Sequence, residues 1–115
     1  MITIKRKKRK IQEKAEMLLN EVYPTFKNYY NSEKHRLCDK ITDAYLNLLE
    51  NLSLANTVRS KRKYYLNKAD GYIQHCKALN DLSFSQKQIS EGFHDNVDLK
   101  LSEIGRMLSG WIKKS

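Results

Sequence analysis

The chain has 115 residues, 40% of them hydrophobic and 30% charged, and a net charge of +9. That length supports one domain with one core, and four glycines and one proline give little of the punctuation an all-β fold needs. No apolar run approaches the roughly 20 residues that cross a bilayer, and the basic start leads into Ile11-Gln-Glu-Lys-Ala-Glu rather than an apolar signal core, so a cytoplasmic protein is expected with no membrane contact.

Residues 1–10 read as a basic N-terminal segment and 11–115 as the folded domain. A first helix is predicted from about Lys7 to Val22, because Ile11, Ala15, Leu18, Leu19 and Val22 fall on one stripe. Tyr23-Pro24 ends it, since proline disfavours the helical conformation of the residue before it. An aromatic connection follows over 25–31, with room for a short helical turn. The second helix runs from Ser32 or Glu33 to about Ala55, lined by Leu37, Ile41, Ala44, Tyr45, Leu48, Leu52 and Ala55. Thr57 is placed to cap the third helix, predicted from about Val58 to Asn80 with Leu66, Ala69, Ile73, Cys76 and Leu79 or Asn80 inside. Asp81–Ser85 reads as a loop, and Ser85 with Gln88 as a capping box. The fourth helix then spans about Gln86 to Ile112 on Ile89, Phe93, Val97, Leu101, Ile104, Leu108 and Trp111, with a kink or break allowed near Gly92 and His94–Asn96. Short connections make this an all-α, antiparallel up-down-up-down four-helix bundle.

The positive charge is lopsided. Lys5, Arg6, Lys7, Lys8, Arg9 and Lys10 supply +6 of the +9. Cations at the positive end of a helix dipole repel one another and are relieved by an anion. Phosphate contact is the functional reading, with salt-dependent binding that ignores base sequence; a solvated terminus or an acidic protein partner are the alternatives. A second cluster, Arg59, Lys61, Arg62, Lys63 and Lys68, opens the third helix and invites the same reading. Tyr64 and Tyr65 lie among these cations, as platforms for bases or, preferably, as core residues with their hydroxyls at the edge.

Chemistry other than binding finds little support. Cys38 and Cys76 fall on apolar faces and read as buried, reduced thiols. His75 and Cys76 point apart on a helix, and His35 with Cys38 makes only two ligands, so no metal site is expected. Glu91, Asp95 and Asp98 read as the polar face of the fourth helix. There is no phosphate loop, nucleophile elbow or histidine pair with a glutamate. No enzyme and no cofactor is expected.

Two glycines interrupt the last helix. Gly105 and Gly110 each cost about 1 kcal/mol relative to alanine, a cost that suits close approach of another backbone or, at Gly110, a helix end. The sole tryptophan, Trp111, beside these small residues suggests a knob and a hole within one chain or between copies. Glu103-Ile-Gly-Arg-Met-Leu-Ser-Gly-Trp-Ile112 resembles the C-terminal helix of the accessory variability determinant proteins of diversity-generating retroelements. It is similar also to the wider family of four-helix-bundle proteins encoded in ribosomal RNA intervening sequences. Tyr23-Pro24 and Leu66-x-x-Ala69-Asp70 match in order.

The resemblance implies a homo-oligomer, a pentameric barrel of bundles, with Gly105, Leu108, Gly110 and Trp111 in packing or subunit contact. It implies a non-enzymatic protein that binds RNA or DNA and a reverse transcriptase and supports mutagenic reverse transcription. Lys5–Lys10, Arg59–Lys68, Arg106 and Lys113 are then the nucleic-acid-binding residues, with Lys114 an addition. Arg106 equally suits a structural pair with an acid across a subunit boundary. The alternative is a protein–protein module of the intervening-sequence type with no retroelement role.

Overall fold

Four apolar stripes at helical spacing need a common core, and the computed structural model, which describes residues 9–115, provides it. The expectations for Lys5, Arg6, Lys7 and Lys8 lie outside the described residues.

Helix α1 (Lys10–Val22) buries Ile11, Ala15, Leu18, Leu19 and Val22, the predicted stripe. It starts three residues later than predicted. The Gln12 side chain fixes that start, accepting from the Arg9 backbone N–H at 3.2 Å. Beyond Val22 the chain tightens into a 3₁₀ turn, Tyr23–Asn28, with Pro24 in its first turn. There proline's missing N–H costs nothing. The Thr25 hydroxyl donates to the Val22 carbonyl at 2.7 Å.

Helix α2 covers residues 31–57, made continuous by a π-helical segment at Lys34–Cys38 between Asn31–Glu33 and Asp39–Thr57. Its predicted inner face is buried throughout, joined by Cys38 and Asn51. Thr57 does not cap the next helix. It is the last residue of α2, and its hydroxyl donates back to Ser53.

A 3₁₀ turn (Arg59–Lys61) leads into helix α3 (Arg62–Ser85). The predicted loop at Asp81–Ser85 is therefore helical. The inner stripe continues from Asn80 to Ser83, which is wholly buried; as serine it carries no apolar signal, so periodicity ends one turn early. The real connection is 86–90. Lys87 adopts a left-handed conformation (φ 61°), and Gln88 N–H donates to Ser83 C=O at 2.8 Å, a Schellman closure.

The Ser85–Gln88 capping box does not form. Ser85 donates to Leu82, and the buried Gln88 amide joins two connections, accepting from Tyr30 N–H at 2.8 Å and donating to Gln86 C=O at 2.7 Å. Ser90 is the true cap of helix α4 (Glu91–Lys113), its hydroxyl accepting from Phe93 N–H. The helix runs unbroken past His94–Asn96, burying Val97, Leu101, Ile104, Leu108 and Trp111. Phe93 and Ile89 close over this end of the core half-buried, Ile89 from the connection.

The helices form a ring in chain order. α2 and α3 are the most extensively packed pair, α3 packs on α4, and α1 closes the ring against α2 and α4. Among the described residues there is no strand, and no helix is long and apolar enough to cross a membrane.

Candidate nucleic-acid interface

Up-down-up-down connectivity brings the start of α1, the end of α2, the start of α3 and the end of α4 to one end of the bundle. The sequence has no Asp or Glu between Glu50 and Asp70, and none after Glu103. The segments of α3 and α4 that reach this end thus carry cations, and the segment of α2 there carries no charge. Arg59 and Lys61 come from the turn before α3, and Arg62, Lys63 and Lys68 from α3 itself. Arg106, Lys113 and Lys114 come from α4 and its end, and Arg9 and Lys10 from the start of α1. The acids nearest these cations in sequence are Asp70, two residues beyond Lys68, and Glu13 and Glu103, each three residues from Lys10 and Arg106 respectively. Arg9 and Lys10, some fifty residues from Arg59 in sequence, thus lie at the same end as the cations that open α3.

All of these cations except Arg62 are exposed. None of the exposed ones forms an ion pair among the described residues. Ion pairs along the flank and at the far end include Glu103 with Lys14 at 2.7 Å, Glu21 with Lys100 at 2.6 Å, Asp39 with His35 at 3.5 Å, and Asp81 and Asp95 with His94. Lys14 first, and Arg106 and Lys100 at longer range, hold the Glu103 carboxyl below its usual range.

Arg62 differs from its neighbours. Its Nε donates to Ala55 C=O at 2.7 Å and its Nη2 to Asn56 C=O at 3.3 Å. These are carbonyls of the last turn of α2, which no helical N–H reaches. Arg62, expected among the phosphate contacts, is half-buried and uses two N–H groups to cap α2 and tie it to α3. Trp111 is packed into the core at 6% exposure, and its ring carries Arg9 Cζ at 3.9 Å and Arg62 Cζ at 5.7 Å. Both lie within range of the ring quadrupole. Leu108, one turn earlier, is buried in the bundle's own core.

Among the described residues, Gly105 and Gly110 meet no backbone of another helix. A Cβ on Gly105 would lie 4.0 Å from Ile73 Cγ2, and one on Gly110 would meet nothing within 4 Å. Both line an open groove between α3 and α4, with Lys77, Arg106 and Lys113 and one acid, Asp70, also along it. Lys77 donates to Ser102 Oγ at 2.7 Å. Lys77 stands apart from the cation clusters in sequence, and only the pairing of α3 with α4 places it near Arg106.

The two tyrosines separate. Tyr65 packs half-buried against the core, as preferred, but Tyr64 is 56% exposed. Tyr64 meets Tyr65 edge-on at 5.2 Å, and Lys68 Nζ sits 5.4 Å over its ring. Cys38 and Cys76 are buried free thiols, and burial pushes Cys76 up to about 12 and raises Cys38. Such thiols are poor nucleophiles. Among the described residues, no three His, Cys, Asp or Glu side chains come together to hold a metal.

Fold and surface together define a small helical bundle whose distinguishing feature is a cationic end. The chain belongs to the bAvd-like family, whose profile matches residues 10–115, from the first residue of α1 through all four helices. No curated protein and no solved structure matches it.

Proposed function

We propose that this protein is a non-enzymatic accessory protein of a diversity-generating retroelement, acting in the cytoplasm. Its cationic end grips the phosphate backbone of template RNA or complementary DNA and brings it to the reverse transcriptase. Copies of the chain assemble, in this reading, into a pentameric barrel. One observation carries the proposal: exposed cations from α1, α3 and α4, without an ion pair among the described residues, lie at one end of a bAvd-like bundle. Such an arrangement binds polyanions through counterion release, so its affinity is set by charge and salt rather than by base sequence.

The test is binding of labelled single-stranded RNA and DNA across a salt series. Affinity is expected to fall steeply between about 50 and 200 mM salt. Absence of binding at the lowest salt would overturn the nucleic-acid role. Co-purification with a reverse transcriptase encoded beside it, and a light-scattering mass of five chains, test the partner and the assembly separately.

A further inference from the structure

We infer that Arg9, stacked on Trp111, is the fork that takes a phosphate at the cationic end, and that Trp111 exists to hold it flat. The inference deepens the nucleic-acid reading above and rests on it. Two guanidinium groups converge on one indole, Arg9 at 3.9 Å and Arg62 at 5.7 Å. Like charges so placed repel, and no carboxylate among the described residues pairs with either.

Arg62 is already committed, because the carbonyls of Ala55 and Asn56 hold its N–H groups. Arg9 is not. Its backbone is fixed by Gln12, its face is fixed by the indole, and its side chain is exposed. A stacked guanidinium keeps its N–H edge directed sideways in a planar fork, which matches two oxygens of one phosphate. An anion there also relieves the repulsion between the two arginines.

Direct base stacking on Trp111 is disfavoured, since the residue is only 6% exposed and Arg9 covers its ring. The ligand is therefore the backbone phosphate rather than the base. Lys113 at the end of α4, and Arg59 and Lys61 before α3, supply the surrounding positive field at the same end.

Trp111 is the sole tryptophan, so its emission reports on this stack alone. The full chain is titrated with a fluorescein-labelled oligothymidylate, whose anisotropy gives binding independently. A second titration uses inorganic tripolyphosphate. Trp111 emission is expected to change saturably along the anisotropy curve and to respond to tripolyphosphate also. At equal phosphate concentration the oligonucleotide is expected to bind more tightly. Arg9→Ala, and equally Arg9→Lys, should abolish the ligand-induced change and weaken oligonucleotide binding about tenfold, the loss of one charge-assisted hydrogen-bonded contact. Circular dichroism checks that both variants keep the helical fold.

Anisotropy binding with flat Trp111 emission would overturn the inference and leave the nucleic-acid role standing. A response to oligothymidylate but not to tripolyphosphate would assign base stacking instead and also overturn it. Tighter binding of tripolyphosphate would make a free polyphosphate the ligand, against the nucleic-acid source. No anisotropy change at low salt would remove both readings.

Discussion

Arg62 on α3 donates to the Ala55 carbonyl at the end of α2 across 2.7 Å, while its guanidinium lies 5.7 Å from the Trp111 ring of α4. One side chain thus joins three helices where they converge. Arg62→Ala is expected to lower unfolding free energy by about 1–2 kcal/mol, the range for a charge-assisted bond that leaves carbonyls partly exposed. Arg62→Lys should recover less than half, because an ammonium has no planar fork to span two carbonyls while facing the ring. Urea midpoints at unchanged slope check this.

The glycines of α4 give a second test. Each Cβ has room within the chain, so Gly110→Ala should stabilise an isolated bundle by about 0.5–1 kcal/mol, the helix-propensity difference less the effect of its place in the last turn. If a second copy of the chain packs its backbone there, the same substitution lowers the light-scattering mass instead. Gly105→Ala, in the helix interior and with its new methyl at ordinary contact distance from Ile73, should follow the same pattern with a gain at least as large.

Lys87 holds a left-handed backbone conformation at φ 61°, which costs a side-chain-bearing residue about 1–2 kcal/mol relative to glycine. Lys87→Gly should raise stability by about 0.5–1 kcal/mol once glycine's larger unfolded-state entropy is deducted. A lower thermal midpoint would mean that the Schellman closure with Ser83 does not form.

His94 supplies a pH dependence. Its Nε2 contacts Asp81 at 2.7 Å and its Nδ1 contacts Asp95 at 2.9 Å. Both contacts become donated hydrogen bonds only when the ring is protonated. Hydrogen bonds to Asp81 and then Asp95 raise its pKa above the ordinary histidine value, against a smaller opposing effect of burial. A group whose folded pKa is raised stabilises fully below its unfolded value and loses that contribution as pH rises through the folded one. The stability gap between the native protein and His94→Gln should therefore be about 0.2–1 kcal/mol in mild acid, the scale of exposed ion pairs, and shrink as pH rises. A gap that widens with pH would contradict the pairing.

The fold was legible where apolar residues carried the period. Val97, Leu101, Ile104 and Leu108 read directly as the inner face of α4, as did the stripe of α1. The α3–α4 connection was misplaced because a buried serine, Ser83, extends the stripe without apolar signal, and because Ser85–Gln88 mimics a cap that Ser90 supplies. At the cationic end the residue types were legible and their meeting was not. Arg9, Arg62 and Trp111 are far apart in sequence, and no periodicity links them; bundle topology alone brings them within 6 Å. Arg62 shares its cluster's charge but not its exposure, a distinction that needs the position of Ala55.

The most direct test compares two triple variants of equal charge change. Arg59, Lys61 and Lys63 stand at the cationic end; Lys27, Arg36 and Lys40, also exposed, stand at the opposite one. Each set is replaced by serine, and binding of single-stranded RNA is followed against salt. Only the first set should flatten the log–log salt dependence, by about 2 for three lost phosphate contacts on a single strand. Equal flattening by both sets would show that net charge acts without location, and the cationic end would cease to be a site.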